Sequence, residues 1–243
     1  MGTILISSII AIIVLVIIFT LFYPTLNMFV SRMFFGKYSA VYFNTVKKYT
    51  GKSPFPYCIK DDFLNHIAGF YKNPKGLQTF STQTEIIFSS VAFGQAFKKF
   101  LSKNPKPFCI SSMRFSEFDL KVMGYRDTMF SVEMKKYFFF INGIFAFGQL
   151  TFKNPTLESV SEISRIVGKK YLQSDALPPA NYLISDRNGT KLLCENNGFH
   201  LSFGYLSGVD DRIVSLLTSF WQSSTQLNLK KRPSLEVELA ERL

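Results

Sequence analysis

The chain has 243 residues, 27 of them Phe, and a net charge of +11 from 28 Lys and Arg against 17 Asp and Glu. Its three cysteines, Cys58, Cys109 and Cys194, stand far apart with no C-x-x-C pair, which argues against a disulfide framework and a structural zinc site. No Arg/Lys stripe, zinc-finger spacing or Gly-rich aromatic motif marks the body of the chain, so nucleic acid is not the expected partner.

Thr3–Tyr23 carries no charge, Gly or Pro and stops at Pro24. At helical rise such a stretch covers about 30 Å, the thickness of a bilayer's hydrocarbon core, and it predicts a transmembrane helix over 3–23. No Lys or Arg precedes it and no small-residue cleavage site follows it, so it reads as an uncleaved signal anchor. Ile6 occupies the position where myristoylation requires Ser or Thr. The flank after the span holds Arg32, Lys37, Lys47, Lys48, Lys52 and Lys60 before the first acid, Asp61. The positive-inside rule then places the following domain in the cytoplasm at an inner (plasma) membrane, with the N-terminus outside and the three thiols reduced. The same cations, Arg32, Lys37, Lys47, Lys48 and Lys52, form a basic collar expected to meet anionic lipid head groups, at about 1 kcal/mol per well-placed charge.

Residues 24–56 read as a membrane-proximal, basic, amphipathic segment. Leu26, Phe29, Val30 and Met33 recur at helical spacing, which suits an interfacial helix or one docked on the domain. Tyr38, Val41, Tyr42, Val46 and Tyr49 continue the pattern to Gly51. Gly51-Lys52-Ser53 is not a phosphate loop, because Val46 stands where that motif needs Gly.

Residues 57–226 read as one α+β domain. Asp61 predicts a short helix carrying Phe63, Leu64, Ile67 and Phe70. Thr82-Gln83-Thr84-Glu85 has the form of a capping box and predicts a longer helix through Ile86, Phe93, Phe97 and Phe100. From Phe108 the period changes to two. Strands are expected at Phe108–Phe115, Phe118–Met123, Met129–Ile141 and Ile144–Phe152, the last pair joined at Asn142-Gly143 by a type I′ turn. Asn154-Pro155 predicts a helix with Leu157, Val160, Ile163, Val167 and Tyr171 on its apolar face. After a Pro178-Pro179 linker come strands at Asn181–Ser185, Lys191–Glu195 and Phe199–Leu206, turning at Asn188-Gly189 and Asn197-Gly198. A final helix capped at Asp210 carries Ile213, Leu216, Leu217, Phe220 and Trp221. This order predicts a mainly antiparallel sheet, shared by both strand groups and covered by the 156–172 and 210–225 helices. Residues 227–243 read as a charged, mobile tail.

The chemical inventory is thin. His66 and His200 are the two histidines, and Cys194 with His200 is the one pair that neighbouring strands could bring together as a dyad. Asp61-Asp62 with His66 supplies too few ligands for a metal site. Asn188-Gly189-Thr190 matches the glycosylation acceptor but reads as a turn. No catalytic residue, metal or cofactor is expected. The function expected is a single-pass membrane-anchored protein whose cytoplasmic domain binds a protein partner or serves as a scaffold in a membrane assembly. The alternative is a membrane-tethered hydrolase, thiol- or metal-assisted, acting at the inner leaflet.

Overall fold

The computed structural model describes residues 2–58, 77–104, 107–115, 117–174, 181–219 and 222. The helix expected after Asp61, the Pro178-Pro179 linker, Phe220, Trp221 and the 227–243 tail lie outside these residues, as does the Asp62/His66 pair.

The first helix, α1 (Gly2–Phe35), is longer than the sequence suggests, because Pro24 lies inside it and does not end it. Pro removes one backbone donor and frees one carbonyl, a cost helices tolerate when the surrounding sequence is strongly helical. Within α1, Leu15–Phe35 has a mean hydropathy of 1.4 and is long and apolar enough to cross a membrane. After Gly36, whose φ of +80° allows the reversal, α2 (Ala40–Thr50) returns along α1. Ser39 caps it by accepting from the Tyr42 amide at 3.1 Å, and Gly51 ends it in the left-handed region.

The domain is built on an eight-stranded sheet. Its strands are β1 (Gln78–Thr82), β2 (Cys109–Arg114), β3 (Asp119–Met129), β4 (Val132–Ile141), β5 (Ile144–Lys153), β6 (Tyr182–Asp186), β7 (Lys191–Asn196) and β8 (His200–Leu206). Their spatial order is β1-β6-β7-β8-β5-β4-β3-β2, so both strand groups share one sheet. Every pairing is antiparallel except β1 with β6. Asn142 and Gly143 both take positive φ between β4 and β5, as a type I′ turn requires. A second reversal at Phe130-Ser131 (φ 51° and 60°) separates β3 from β4, although Phe130 is no turn residue.

Alternation along the strands feeds two cores. One face buries Met134, Phe138, Phe145, Phe152, Phe203 and Tyr205 beneath α4 (Leu157–Leu172). The other buries Phe139, Ile141, Phe147 and Leu206 against Ile213 and Leu217 of α5 (211–219). Of the expected α4 face, Val160, Ile163, Val167 and Tyr171 are buried, but Leu157 is 88 % exposed because the helix starts there, capped by Thr156.

The helix expected from Thr82 does not form. Thr82 ends β1, and its hydroxyl donates to the Tyr171 carbonyl and accepts from the Thr84 amide. Residues 83–96 instead cross the sheet as an irregular segment before the short helix α3 (Phe97–Lys103). Phe88 anchors this crossing. It is fully buried, with ring centroids 4.8 Å from Phe138 and 5.0 Å from Tyr205, and it fills the space left by the missing side chain of Gly148.

The expectation of three reduced thiols is also corrected. Cys58 and Cys109 are joined in a disulfide, and only Cys194 is free. The bond accompanies two backbone contacts that cover the open edge of β2. Ile110 N–H donates to the Pro56 carbonyl, and Cys58 N–H donates to Ser111 Oγ, both at 3.0 Å. Gly124 makes the room, since a Cβ there would stand 2.4 Å from Cys109 Sγ.

Candidate functional site

The collar cations are distributed along the α1–α2 hairpin. Asn27 Nδ2 donates to Tyr49 Oη at 2.9 Å, and the Tyr49 ring packs edge-on to Tyr23 at 6.4 Å. These contacts bring the end of α2 back beside the Tyr23–Asn27 stretch of α1. Lys47, Lys48 and Lys52, all exposed, therefore belong to the end of the hairpin near Tyr23. Lys48 Nζ lies 5.5 Å over the Tyr49 ring. Arg32 follows Tyr23 by nine residues, about 13 Å along the helix, and Lys37 lies at the far bend over Tyr38. Counted along the chain Arg32 stands nearest the 3–23 stretch, but the hairpin brings Lys47 and Lys48 nearer. The Asn27–Tyr49 contact that folds the hairpin carries no sequence signal of its own.

The hairpin is fastened to the domain. Tyr38 and Phe43 are buried in the α4-side core, and both pack on Phe55, with centroids 5.6 and 5.7 Å away. Positions on α2 are thus set relative to the sheet as well as to α1.

The second candidate is a cavity of about 210 Å³ between α4 and strands β4, β5 and β8. Its walls are mainly apolar, with Met134, Phe152, Ile163 and Phe203 among them, and Lys136 and Lys170 contribute the charge. Lys136 Nζ is held by Asp127 at 2.5 Å, and that contact keeps the Asp127 carboxyl below its ordinary range. The cavity gathers neither Cys194 nor His200, and no carboxylate lines it.

The Cys194/His200 dyad is not assembled. Cys194 pairs in register with Phe203 and is buried, whereas His200 is exposed at the strand end opposite Lys153. Burial pushes the Cys194 thiol up to about 12, the reverse of what a nucleophile needs. Burial likewise raises the phenols of Tyr182 and Tyr205. Among the described residues no group of three or more His, Cys, Asp or Glu could hold a metal ion. The Asn188-Gly189 sequence is a turn, organised by Asp186, whose Oδ1 accepts from the Asn188 and Thr190 amides at 2.9 Å each.

No family model, no curated protein and no solved structure matches this chain.

Proposed function

We propose that this protein is a single-pass, membrane-anchored binding or scaffold component of a membrane-associated assembly, its α+β domain held close to one leaflet by the α1–α2 hairpin. The observation that carries the reading is the return of Lys47 and Lys48 to the level of Tyr23. A span over 3–23 puts those cations at the head groups, where they act within a Debye length of about 8–10 Å. A span shifted to 15–35 would drag the same lysines into hydrocarbon, which is costly. Lys52 shares the near end of the hairpin, while Arg32 and Lys37 act from farther out. The cavity beneath α4 gathers neither Cys194 nor His200, so it lends no support to the thiol hydrolase alternative.

The domain is tested for lipid preference as residues 25–243, checked for folding by circular dichroism and sedimented with vesicles. Binding that needs anionic lipid, weakens with salt and drops when Lys47, Lys48 and Lys52 become Gln supports the collar. Equal or absent binding to anionic and zwitterionic vesicles removes it, and an acidic protein partner then becomes the better reading. Stoichiometric protein partners recovered from solubilised membranes support the scaffold role.

For orientation, the basic flank favours a cytoplasmic domain at the plasma (inner) membrane. A second reading, with the domain on the oxidising side, is favoured by the Cys58–Cys109 disulfide. A reporter fused after Leu243 separates the two. Activity of a cytoplasmic reporter supports the first, and activity of a periplasmic or lumenal one, or a glycan on Asn188, supports the second.

A further inference from the structure

We infer that the protein self-associates as a parallel dimer through the face of α1 opposite α2. This inference rests on the membrane-anchored reading. Beyond Tyr23 the helix has two distinct sides. Pro24, Asn27, Met28 and Ser31 are covered to varying degrees, with Ser31 the most buried at 5 % exposure, and they form the side toward α2. At about 100° per residue, Leu26, Phe29 and Met33 project roughly 170° away from them. They are 53, 58 and 66 % exposed.

Their spacing matches a second copy of the same helix; Val16, Ile17, Ile18 and Leu21 are apolar and exposed as well, so the register is set by Leu26, Phe29 and Met33. Leu15, Phe19, Phe22, Leu26, Phe29 and Met33 follow one another at intervals of 4, 3, 4, 3 and 4 residues. That is the alternation of a coiled-coil seam, in which apolar side chains recur every 3.5 residues and fit between those of a helix with the same repeat. A second copy of this chain carries that repeat by necessity. Anchoring in one bilayer makes the two copies parallel and raises their effective concentration. Identical positions then meet across the seam.

Area sets the conditions. At these exposures each seam residue offers roughly 100 Å², so Leu26, Phe29 and Met33 alone bury about 600 Å² over two copies. Stable interfaces begin at about 1,200 Å². The seam reaches that size only by continuing through Phe22, Phe19 and Leu15 into the span. The water-exposed end supplies the hydrophobic drive, which lipid removes from the rest. The dimer therefore belongs to the anchored chain.

The experiment places single cysteines at Thr25, Leu26, Phe29, Arg32 and Met33 in the full chain reconstituted in bilayers, followed by mild oxidation. The parent chain, whose remaining thiol is buried, is the control. Resistance to alkaline carbonate extraction is scored in parallel. Intermolecular cross-linking at least about five-fold higher at positions 26, 29 and 33 than at positions 25 and 32 is the expected result. Uniform or absent cross-linking in a carbonate-resistant chain overturns the seam and leaves the anchor standing. Extraction by carbonate overturns the anchor and the seam with it. Spin-labelled lipid quenching fluorophores at 26, 29 and 33 as strongly as one at Phe19 assigns the face to lipid and also overturns the seam.

Discussion

Asp186 should be the most sensitive polar position in the domain. Its side chain is buried at the end of β6, where Oδ2 accepts from the Ile86 amide at 2.9 Å and Oδ1 accepts from the amides of Asn188 and Thr190. It thereby ties the irregular 83–96 crossing to the β6–β7 turn, a hundred residues apart in sequence. Asp186→Ala orphans all three donors. Asn188 is exposed and regains water, but Ile86 and Thr190 are 1 and 2 % exposed and do not. Two buried N–H groups at about 1–3 kcal/mol each put the loss near 2–6 kcal/mol. In Asp186→Asn the remaining oxygen still serves the turn, and only the Ile86 contact is replaced by a clash of donors, so the loss is about 1–2 kcal/mol. Urea unfolding of the full chain in detergent measures both. A loss under 0.5 kcal/mol for Asp186→Ala, or a greater loss for Asn than for Ala, would refute the reasoning.

Replacing Cys58 and Cys109 together by Ala should destabilise the domain by about 4 kcal/mol, from release of a 51-residue separation in the unfolded chain; equal unfolding midpoints with and without reductant would contradict it. Gly208→Ala should cost about 2 kcal/mol or more, because a Cβ there stands 2.1 Å from the Gly189 carbonyl carbon, and thermal unfolding reports it. The thiol of Cys194 and the phenols of Tyr182 and Tyr205 are held protonated by burial in the folded state. The unfolded chain loses those protons first, so this stabilisation is intact below about pH 9 and disappears as pH rises through the folded values; denaturation midpoints from pH 7 to 11 should fall on the alkaline side. For the same reason Cys194 should resist iodoacetamide at pH 8 until the chain is unfolded.

The parts of this fold legible in the sequence are those with local causes. Asn142-Gly143 marks a turn because both residues tolerate positive φ, and the alternation on either side of it then fixes β4 and β5. The α4 stripe at Val160, Ile163, Val167 and Tyr171 is likewise a local pattern. What escaped depends on distant partners. Thr82-Gln83-Thr84-Glu85 satisfies the capping-box pattern, but Thr82 is claimed by the Tyr171 carbonyl and by pairing of β1 with β6, so the tertiary contact overrides the local preference. Phe130 turns without a turn residue because the β3–β4 register demands it. Cys58 and Cys109 could be paired only once the edge of β2 was known. At the candidate site the sequence shows the cations but not their positions relative to Tyr23, because the Asn27–Tyr49 contact folds the end of α2 back beside α1.

Spin labels at Phe19, Phe34 and Lys48 of the full chain in liposomes, read by relative accessibility to oxygen and to a water-soluble nickel chelate, test the membrane placement most directly. With 3–23 as the span, Phe19 lies in hydrocarbon, Lys48 at the head groups, and Phe34 in water about 16 Å beyond Tyr23. A label at Phe34 as deep as one at Phe19, or one at Lys48 with no membrane proximity, would contradict the account.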